Sequence, residues 1–502
     1  MRLLLTCLMV LAGYQINAAK KPNIVIIYAD DLGYGDLSCQ NPESKITTPN
    51  LDKLASEGMR FTDAHSSSGI CSPSRYALLT GNYHWRRQHG IVNAFGTPFF
   101  KEGEFTIATM LKSQGYTTAA IGKWHLGWNW DAVKKPGAKP IKTGKSSSFG
   151  PDAFDWTKSV PGGPLDRGFD YYFGDGTINF PPYCWMENDK VLKAPTEMLD
   201  LKGMKTKEGS WEFRPGPMVK DWNPYEVLPT LCKKSVEYIK SQSADKPFFL
   251  YFALPSPHAP IIPNDEFDGK TKAGPYGDFV FQTDYVAGQV LNALKEKGLE
   301  ENTLIIFSAD NGPEKYAYSR IQNFDHYSMG KLRGLKRDMY EGGHRVPFIV
   351  KWPGKVQAGS MSHEVINQVD VMSTVAEITG YKLSNEVAVD SYNLLPVITG
   401  EKYKTPLREA TIQNTKENMY AVRKGTFVLI NAYTGQHSSA PAWYHQKSGY
   451  PKPDKKVKFQ LFDLSSDVGQ KKDISSEKPE LVKEMQGILE RYRKSGRSVP
   501  KR

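Results

Sequence analysis

Asn23-Ile24-Val25-Ile26-Ile27-Tyr28-Ala29 is an unbroken apolar run, and Asp30-Asp31 follows it directly. An apolar run of this length without alternation is typical of a strand that is buried on both faces, as in a parallel sheet. Thr303-Leu304-Ile305-Ile306-Phe307-Ser308-Ala309 repeats the pattern and is followed by Asp310-Asn311. Similar strands are predicted at residues 117–122 and 248–254.

Helical patterns separate these strands along the chain. They are predicted at residues 50–57, 106–114, 228–241 and 277–297. Strands that alternate with helices indicate an α/β fold, in which helices flank a sheet. The stretches 135–163 and 191–217 are irregular, and loops of such length are usually functional or mobile. We expect the first of them to be a long surface insertion.

The pattern changes after about residue 400. Short antiparallel strands are predicted at residues 419–422, 427–431 and 458–462, and an amphipathic helix at 479–493. We therefore predict a large α/β domain over residues 20–400 and a smaller α+β domain over residues 401–502.

Residues 1–19 are typical of a secretory signal peptide. Arg2 supplies a positive start, residues 3–13 are apolar, and Ala18-Ala19 offers a cleavage point. The alternative is a buried N-terminal strand, but the charged pair Lys20-Lys21 follows directly. The sequence therefore predicts a secreted or periplasmic protein. No other segment is long and apolar enough to predict a membrane span.

Carboxylate and amide side chains follow two of the predicted strands. Because ligands bind at the carboxyl ends of parallel strands, we expect Asp30-Asp31 and Asp310-Asn311 to converge at one edge of the sheet. Three carboxylates and one amide oxygen are hard ligands that suit Ca²⁺ or Mg²⁺ rather than Zn²⁺. The alternative is that each pair serves only in a turn or a helix cap, where Asp and Asn are common.

Cys71 lies where a loop of small residues meets a helical pattern. Residues 66–70 are Ser-Ser-Ser-Gly-Ile, and Cys71-Ser72-Pro73-Ser74-Arg75 follows. Backbone N–H groups at the start of a helix can face an anion. Arg75 comes one helical turn after Cys71 and is expected to point back towards it. A structural buried cysteine is the alternative, but it explains neither Pro73 nor Arg75.

Cations and imidazoles occur in further segments. In an extended segment, Lys123 and His125 would project to the same side. His258 lies in a loop that neighbouring prolines stiffen, and Lys336 adds another cation further along. Such groups beside an anion site can bind the anion and move protons. Taken singly, each is equally explained as a surface charge, a packed histidine or part of a rigid turn.

The segment around Cys71 matches the C-x-P-x-R signature of type I sulfatases, of the arylsulfatase and polysaccharide-sulfatase type. The resemblance runs from Lys21 to about Leu464. Further blocks in the family's order are Asp30-Asp31-Leu32-Gly33-Tyr34-Gly35-Asp36, Thr48-Pro49-Asn50-Leu51-Asp52, Gly122-Lys123-Trp124-His125, the His258 loop, Asp310-Asn311-Gly312 and Glu341-Gly342-Gly343. The resemblance implies an alkaline-phosphatase-like fold, with a large sheet flanked by helices and a smaller C-terminal antiparallel sheet plus helix.

The resemblance also implies a modified nucleophile and a metal. The family's cysteine at this position is oxidised to formylglycine by a formylglycine-generating enzyme or an anaerobic sulfatase-maturing enzyme. The hydrated aldehyde attacks the sulfur of a sulfate ester, and its second hydroxyl lets the sulfate leave. Ca²⁺, rather than Mg²⁺, acts as a Lewis acid. Carried over to this chain, its ligands would be Asp30, Asp31, Asp310, Asn311 and the modified Cys71.

The remaining roles follow from the same family pattern. Arg75 would hold and orient the formylglycine hydrate, and His125 would be the base for its remaining hydroxyl. Lys123 and Lys336 would neutralise the sulfate oxygens of the substrate. His258 would lie beside the leaving oxygen, contact the substrate and act as the acid.

Other activities share parts of this pattern. A phosphonate or phosphate monoester hydrolase of the same fold is one alternative, although the Asp-x-x-x-His spacing of zinc phosphatases does not follow Asp310. A non-catalytic relative that binds sulfated glycans is another, but it would be expected to lose the cysteine or a metal ligand.

The charge of the chain bears on its partner. Lys and Arg total 65 against 54 Asp and Glu, which gives a net charge of +11. A basic exported protein suits an anionic partner. The chain has no nucleic-acid-binding motif, so we expect a sulfated glycan substrate and no nucleic acid. Cysteine is too scarce, at 5 residues, for a disulfide scaffold.

Overall fold

The computed structural model describes residues 20–143, 146–201 and 204–502. The predicted signal peptide, residues 1–19, lies outside the described residues. No helix in these ranges combines the length and the apolar character that a bilayer crossing requires. The cysteines in them, Cys39, Cys71, Cys184 and Cys232, are free thiols.

Strands and helices alternate along most of the described chain. The strands are β1 Asn23–Ala29, β2 Met59–Phe61, β3 Ala64–His65, β4 Thr117–Lys123, β5 Ile141–Thr143, β6 Ser146–Ser148, β7 Tyr171–Gly176, β8 Met186–Glu187, β9 Lys190–Val191, β10 Glu197–Met198, β11 Pro217–Met218, β12 Phe248–Ala253, β13 Thr303–Ala309, β14 Phe348–Lys351, β15 Ser360–Ser362, β16 Ile366–Asn367, β17 Thr411–Lys416, β18 Met419–Lys424, β19 Phe427–Ile430 and β20 Gln460–Asp463. The α-helices are α1 Pro49–Ser56, α2 Cys71–Thr80, α3 Ile107–Ser113, α4 Val227–Ser241, α5 Gly274–Glu296, α6 Ala317–Phe324, α7 Glu341–His344, α8 Asp370–Thr379, α9 Leu395–Thr399, α10 Ala442–Ser448 and α11 Pro479–Lys494.

A ten-stranded mixed sheet forms the centre of the molecule. Its strand order is β15-β2-β14-β13-β1-β12-β4-β7-β8-β9. The strands from β13 to β7 are parallel, and β14 joins β13 in the antiparallel sense. The predicted α/β fold is therefore confirmed. The short strands at both edges of the sheet were not predicted, because two or three residues carry too little periodicity.

The strand β1 shows why residues 24–29 are all apolar. Ile24, Ile26 and Tyr28 pack into one core, which α2, α3 and α8 cover. Val25 and Ile27 point the other way, into a core that α1, α4 and α5 cover. Because side chains alternate across a strand, a strand covered on both faces has no polar position.

The C-terminal region forms a smaller antiparallel sheet in the order β17-β18-β19-β20. The helix α11 packs Met485 and Ile488 against it, and Tyr83, which follows α2, belongs to the same core. The predicted strands and closing helix are confirmed, whereas β17 was not predicted. Its buried Gln413 and Asn414 make it look like a loop in sequence. The boundary at residue 400 stays a prediction.

The stretch 135–163 is only partly the surface insertion that we predicted. It contains the hairpin of β5 and β6, but Phe154 and Val160 are buried in the large core. Phe95 stacks on Phe154 with ring centroids 4.8 Å apart. Lysine, glycine and serine dominate the composition and hide the few aromatic side chains that anchor the segment.

Arg423 of β18 ties the small sheet to the large one. Its Nη2 donates to Asp63 Oδ2 at 2.9 Å, and its Nη1 lies 3.5 Å from Glu341 Oε2. The substitution Arg423→Gln is expected to reduce the free energy of unfolding by about 3 kcal/mol, because these buried carboxylates then keep only part of their partners, Arg345 and His65, among the described residues. Urea unfolding followed by circular dichroism measures the loss.

The matched control is Arg491→Gln, which breaks the half-exposed ion pair with Glu409. A change within about 0.5 kcal/mol is expected there, since exposed pairs contribute little. Equally small losses in both variants would contradict the role given to Arg423.

Candidate active site

The sheet brings the predicted site residues to one edge. Ala29 of β1 pairs with Ala309 of β13, so Asp30 and Asp310 leave neighbouring strands at the same level. The strand β12 pairs with β1 on its other side and leads into the loop of His258, and β4 ends at Lys123. The convergence that we predicted from the parallel strand ends is therefore present.

Asp30, Asp31, Asp310 and Asn311 form a buried oxygen cluster. Asn311 Nδ2 donates to Asp31 Oδ1 at 2.7 Å, and the Asp31 backbone N–H donates to Asp310 Oδ1 at 3.2 Å. The buried atoms Asp30 Oδ1 and Asn311 Oδ1 accept no hydrogen bond from the described residues. Buried oxygens without a donor are costly unless a cation satisfies them. The donor set therefore fits a hard divalent cation.

Cys71 is the first residue of α2 and is almost fully buried, with 2% of its surface exposed. Ligand atoms of Asp30, Asp31, Cys71 and His258 all lie within 4.8 Å of one another. Burial raises the pKa of the Cys71 thiol to about 12, although Lys123 and Lys336 act to lower it. The thiol is therefore protonated at neutral pH, and a protonated thiol is a poor nucleophile.

Arg75 lies on the same helix as Cys71 and reaches the oxygen cluster. Its Nε and Nη2 donate to Asp310 Oδ2 at 3.0 and 2.8 Å, and its Nη1 donates to the Lys123 carbonyl at 3.2 Å. The guanidinium is fully buried, so these bonds hold Asp310 and the end of β4 in fixed positions.

The lysines also lie against the carboxylates. Lys123 Nζ donates to Asp30 Oδ2. Lys336 Nζ lies 2.7 Å from Asp31 Oδ1 and 2.8 Å from Asp31 Oδ2. Cations and carboxylates thus neutralise one another within the site. A bound dication would leave the site with net positive charge, which favours an anionic substrate.

His125 has the geometry of a proton acceptor. Its Nε2 donates to the Val92 carbonyl at 3.0 Å, so the lone pair is on Nδ1, which is buried and accepts no bond from the described residues. Burial, Lys123 and Arg75 hold the pKa of His125 well below its usual range. The imidazole is therefore neutral and able to take a proton.

The backbone around His125 differs from our prediction. The strand β4 ends at Lys123, and His125 has φ 51°, so the segment is not extended. Lys123 and His125 both reach the site, because the turn orients the imidazole and not the alternation of side chains along a strand. Asp31 (φ 60°) and Arg337 (φ 80°) are also left-handed. Such backbone strain in non-glycine residues tends to collect at functional sites.

His258 lies against the carboxylates of the cluster. Its Nδ1 donates to the Ala259 carbonyl, which leaves Nε2 facing Asp31 Oδ2 at 3.6 Å. Burial lowers the pKa of His258, although Asp31 acts to raise it. It therefore lies beside Cys71 and the carboxylates, and its role as the acid stays a prediction.

Glu314 and Arg337 belong to the site but were missed in the sequence. Glu314 Oε1 accepts from Arg337 Nη1 at 2.7 Å, and Glu314 Oε2 lies 3.8 Å from Lys336 Nζ. Both residues sit next to predicted ones: Glu314 is three residues after Asn311, and Arg337 follows Lys336. Their closeness in sequence to predicted site residues was the only feature that could have indicated their place in the site.

A small cleft that is open to solvent, with a cavity volume of about 40 Å³, lies beside His125. Aromatic side chains form much of its wall, namely Phe95, Trp128, Trp130 and Phe180. Asp175 also lines the cleft, and both of its carboxylate oxygens lack a hydrogen bond from the described residues. An apolar wall with a few polar groups suits a small organic ligand such as a sugar ring.

Trp85, Arg86 and Arg333 lie close in sequence to the site motifs, but their contacts are structural. Arg86 donates two bonds to Asp390 and lies over the Trp85 ring, and Arg333 is buried against Tyr340. Their closeness in sequence to the site motifs therefore reflects packing.

Comparison with known families gives a match over most of the chain. The sulfatase family model matches residues 22–381. A second model, the C-terminal region of N-sulphoglucosamine sulphohydrolase, matches residues 335–440. Together they span the large sheet, the site residues and the first strands of the small sheet.

Individual relatives agree with the family match. The chain is 31% identical to N-acetylgalactosamine-6-O-sulfatase of Bacteroides thetaiotaomicron, over 94% of this chain and 93% of that protein. It is 31% identical to human arylsulfatase A, over 91% of this chain and 83% of that protein. A solved structure from work on the metabolism of multiple glycosaminoglycans by B. thetaiotaomicron superposes with a TM-score of 0.76 and 30% identity, covering 94% of this chain and 98% of that one. The chain therefore belongs to the sulfatase family, whose enzymes hydrolyse sulfate esters.

Proposed function

We propose that this sulfatase removes sulfate groups from a sulfated glycan. We also propose that it is secreted or periplasmic. The observation that carries the proposal is the buried thiol of Cys71 inside a cluster of carboxylates and cations, beside an aromatic cleft. The cluster suits a sulfate group and the cleft suits a sugar ring. The net charge of +11 would favour approach of a polyanion.

Cys71 is proposed to be converted to formylglycine. Its high thiol pKa makes the unmodified residue a weak nucleophile, which supports the conversion. Because residue 71 is buried in the folded protein, a maturing enzyme must modify it before folding is complete. The hydrated aldehyde would supply one hydroxyl to attack sulfur and a second whose deprotonation lets sulfate depart.

A Ca²⁺ ion is proposed at the oxygen cluster, held by Asp30, Asp31, Asp310, Asn311 and the modified residue 71. It would supply Lewis-acid polarisation of the sulfate group. Burial and then Asp30 raise the pKa of Asp310 to about 7. A cation at this position would reverse that shift and keep the carboxylate ionised.

The proton transfers are assigned to the histidines. His125 Nδ1 is proposed to accept the proton from the remaining hydroxyl, since it offers the free lone pair. His258 is proposed to donate a proton to the leaving oxygen of the sugar. Lys123 and Lys336 would turn to the sulfate oxygens once a cation neutralises Asp30 and Asp31. Arg75 would orient the nucleophile through its fixed bonds to Asp310.

The names of the relatives suggest where to begin with substrates. Several are N-acetylgalactosamine-6-sulfatases, from bacteria and mammals. We propose 6-O-sulfated N-acetylgalactosamine in oligosaccharides as the first substrate to examine. A small aryl sulfate should also be hydrolysed, since the proposed chemistry needs only the ester.

The test is a desulfation screen with enzyme co-expressed with a maturing enzyme. Ion chromatography measures the sulfate released from oligosaccharides sulfated at defined positions and from an aryl sulfate, and the phosphate or phosphonate released from the corresponding monoesters. We expect the highest kcat/KM on a sulfated oligosaccharide. Faster turnover of a phosphonate or phosphate monoester, or release of sulfate from no glycan, would contradict the proposal.

A further inference from the structure

Arg214 is a cation near the active site whose charge is not paired. It lies in the segment between β10 and β11, and its side chain is half-buried. Its guanidinium stacks on the ring of Phe180, with Cζ 3.7 Å from the ring centroid. Within the described part of the chain, the guanidinium makes no hydrogen bond and no ion pair. Arginine held in this way is rigid and has its donors free.

Phe180 connects Arg214 to the reaction centre. The Phe180 ring meets the His125 imidazole edge-on, with centroids 5.3 Å apart. Phe180 also lines the cleft beside His125. The guanidinium of Arg214 therefore stands one aromatic ring away from the proposed base, at the border of the proposed sugar cleft.

Two carboxylates of this region have hydrogen-bond partners of their own. Glu212 accepts a hydrogen bond from the Tyr316 hydroxyl, and Glu314 accepts from Arg337. Burial lowers the pKa of Arg214, the charge of Glu212 acts to raise it, and the charge of Arg337 lowers it further. The half-buried guanidinium thus lies near the charge of Glu212 without a direct ion pair, and its N–H donors are left for an anionic ligand.

The same segment presents an exposed aromatic ring. Trp211 is 61% exposed, yet its Nε1 donates to the Tyr316 hydroxyl at 3.0 Å and its ring meets Tyr316 edge-on. An exposed tryptophan that is fixed in place is a common platform for ligands. The segment therefore offers both an apolar surface and a free cation at the border of the site.

We infer that Arg214 binds a second anionic group of the substrate, a carboxylate or another sulfate on the sugar next to the scissile ester. This inference rests on the proposed sulfated-glycan function and adds that the preferred substrate carries at least one further anion. The guanidinium fork suits both anions, because each offers two oxygens for parallel N–H bonds. Arg214 would thus be a specificity-determining residue that takes no part in bond cleavage.

The test compares substrates of increasing charge with the wild-type enzyme and Arg214→Ala. The probes are 4-nitrophenyl sulfate and monosulfated N-acetylgalactosamine, with one anion, and a disulfated hexosamine and a disaccharide with a neighbouring uronic acid, with two. On a doubly charged probe, R214A is expected to lose about 10- to 100-fold in kcat/KM, mainly through KM. On the singly charged probes it should lose less than about 3-fold. A loss on the disulfated hexosamine indicates that Arg214 binds a sulfate, and a loss on the uronic-acid disaccharide indicates that it binds a carboxylate.

Companion variants keep the comparison interpretable. Arg214→Lys keeps the positive charge but lacks the planar set of guanidinium N–H donors, so it should retain more of the selectivity than R214A does. Arg493→Gln removes a cation that lies over Tyr420, away from the cleft, and should change no probe. Equal losses of R214A on all probes, or no loss on any, would overturn the inference while leaving the proposed function intact. If the wild-type enzyme hydrolyses no sulfate ester, the proposed function fails and this inference with it.

Discussion

The substitution Cys71→Ala is expected to reduce kcat for sulfate release by about 10⁴-fold or more, the scale seen when a covalent nucleophile is removed. The physical reason is that the surrounding groups only bind and polarise the ester, whereas the proposed nucleophile comes from residue 71. The side chain loses only its sulfur, so the fold should survive. Sulfate release on the preferred oligosaccharide and the thermal midpoint are measured together.

Cys71→Ser sharpens this prediction. A serine hydroxyl can attack sulfur but offers no second hydroxyl to expel the sulfate again. We therefore expect at most one equivalent of alcohol per enzyme and no further turnover. The control is Cys232→Ala on α4, which should retain wild-type activity. Steady turnover by either residue 71 variant would contradict the proposed nucleophile.

The substitution Asp310→Asn is expected to reduce kcat/KM by about 10³-fold, because the loss of metal-assisted charge stabilisation amounts to several kcal/mol. It removes a negative charge from the proposed calcium site while keeping the size of the side chain. It also replaces the carboxylate that accepts two bonds from Arg75. Calcium binding by isothermal titration and the rise of the melting temperature with added Ca²⁺ should both be lost.

The control for Asp310 is Asp284→Asn. Asp284 is also buried, and it accepts hydrogen bonds from Asn50 and Leu51 at the start of α1. That variant should bind calcium and hydrolyse the substrate like the wild-type enzyme. Unchanged calcium affinity in D310N, or an equal loss in D284N, would contradict the metal site.

The strand-end residues were predictable from the sequence, for a physical reason. Strands buried on both faces need continuous apolar runs, and polar residues directly after such runs must lie at the carboxyl edge of the sheet. Asp30 and Asp310 could be placed together in this way, although they are far apart in the chain. The position of Arg75 relative to Cys71 follows equally from the period of a helix.

Other parts of the site depend on contacts that no local pattern encodes. The left-handed turn at His125 and the free lone pair of its Nδ1 arise from tertiary contacts, such as the bond to Val92. Arg214 lies in an irregular segment and acquires its position from Phe180. The strand β17 was hidden by its buried polar side chains, of which Asn414 donates to the carbonyls of Lys416 and Met419.

Mass spectrometry of the tryptic peptide that contains residue 71 is the most direct measurement. Preparations with different amounts of a maturing enzyme would be compared for peptide mass and for sulfate release per protein. We predict that activity rises in proportion to the fraction of peptide carrying an aldehyde instead of the thiol. Full activity in a preparation whose peptide is entirely unmodified cysteine would contradict the account.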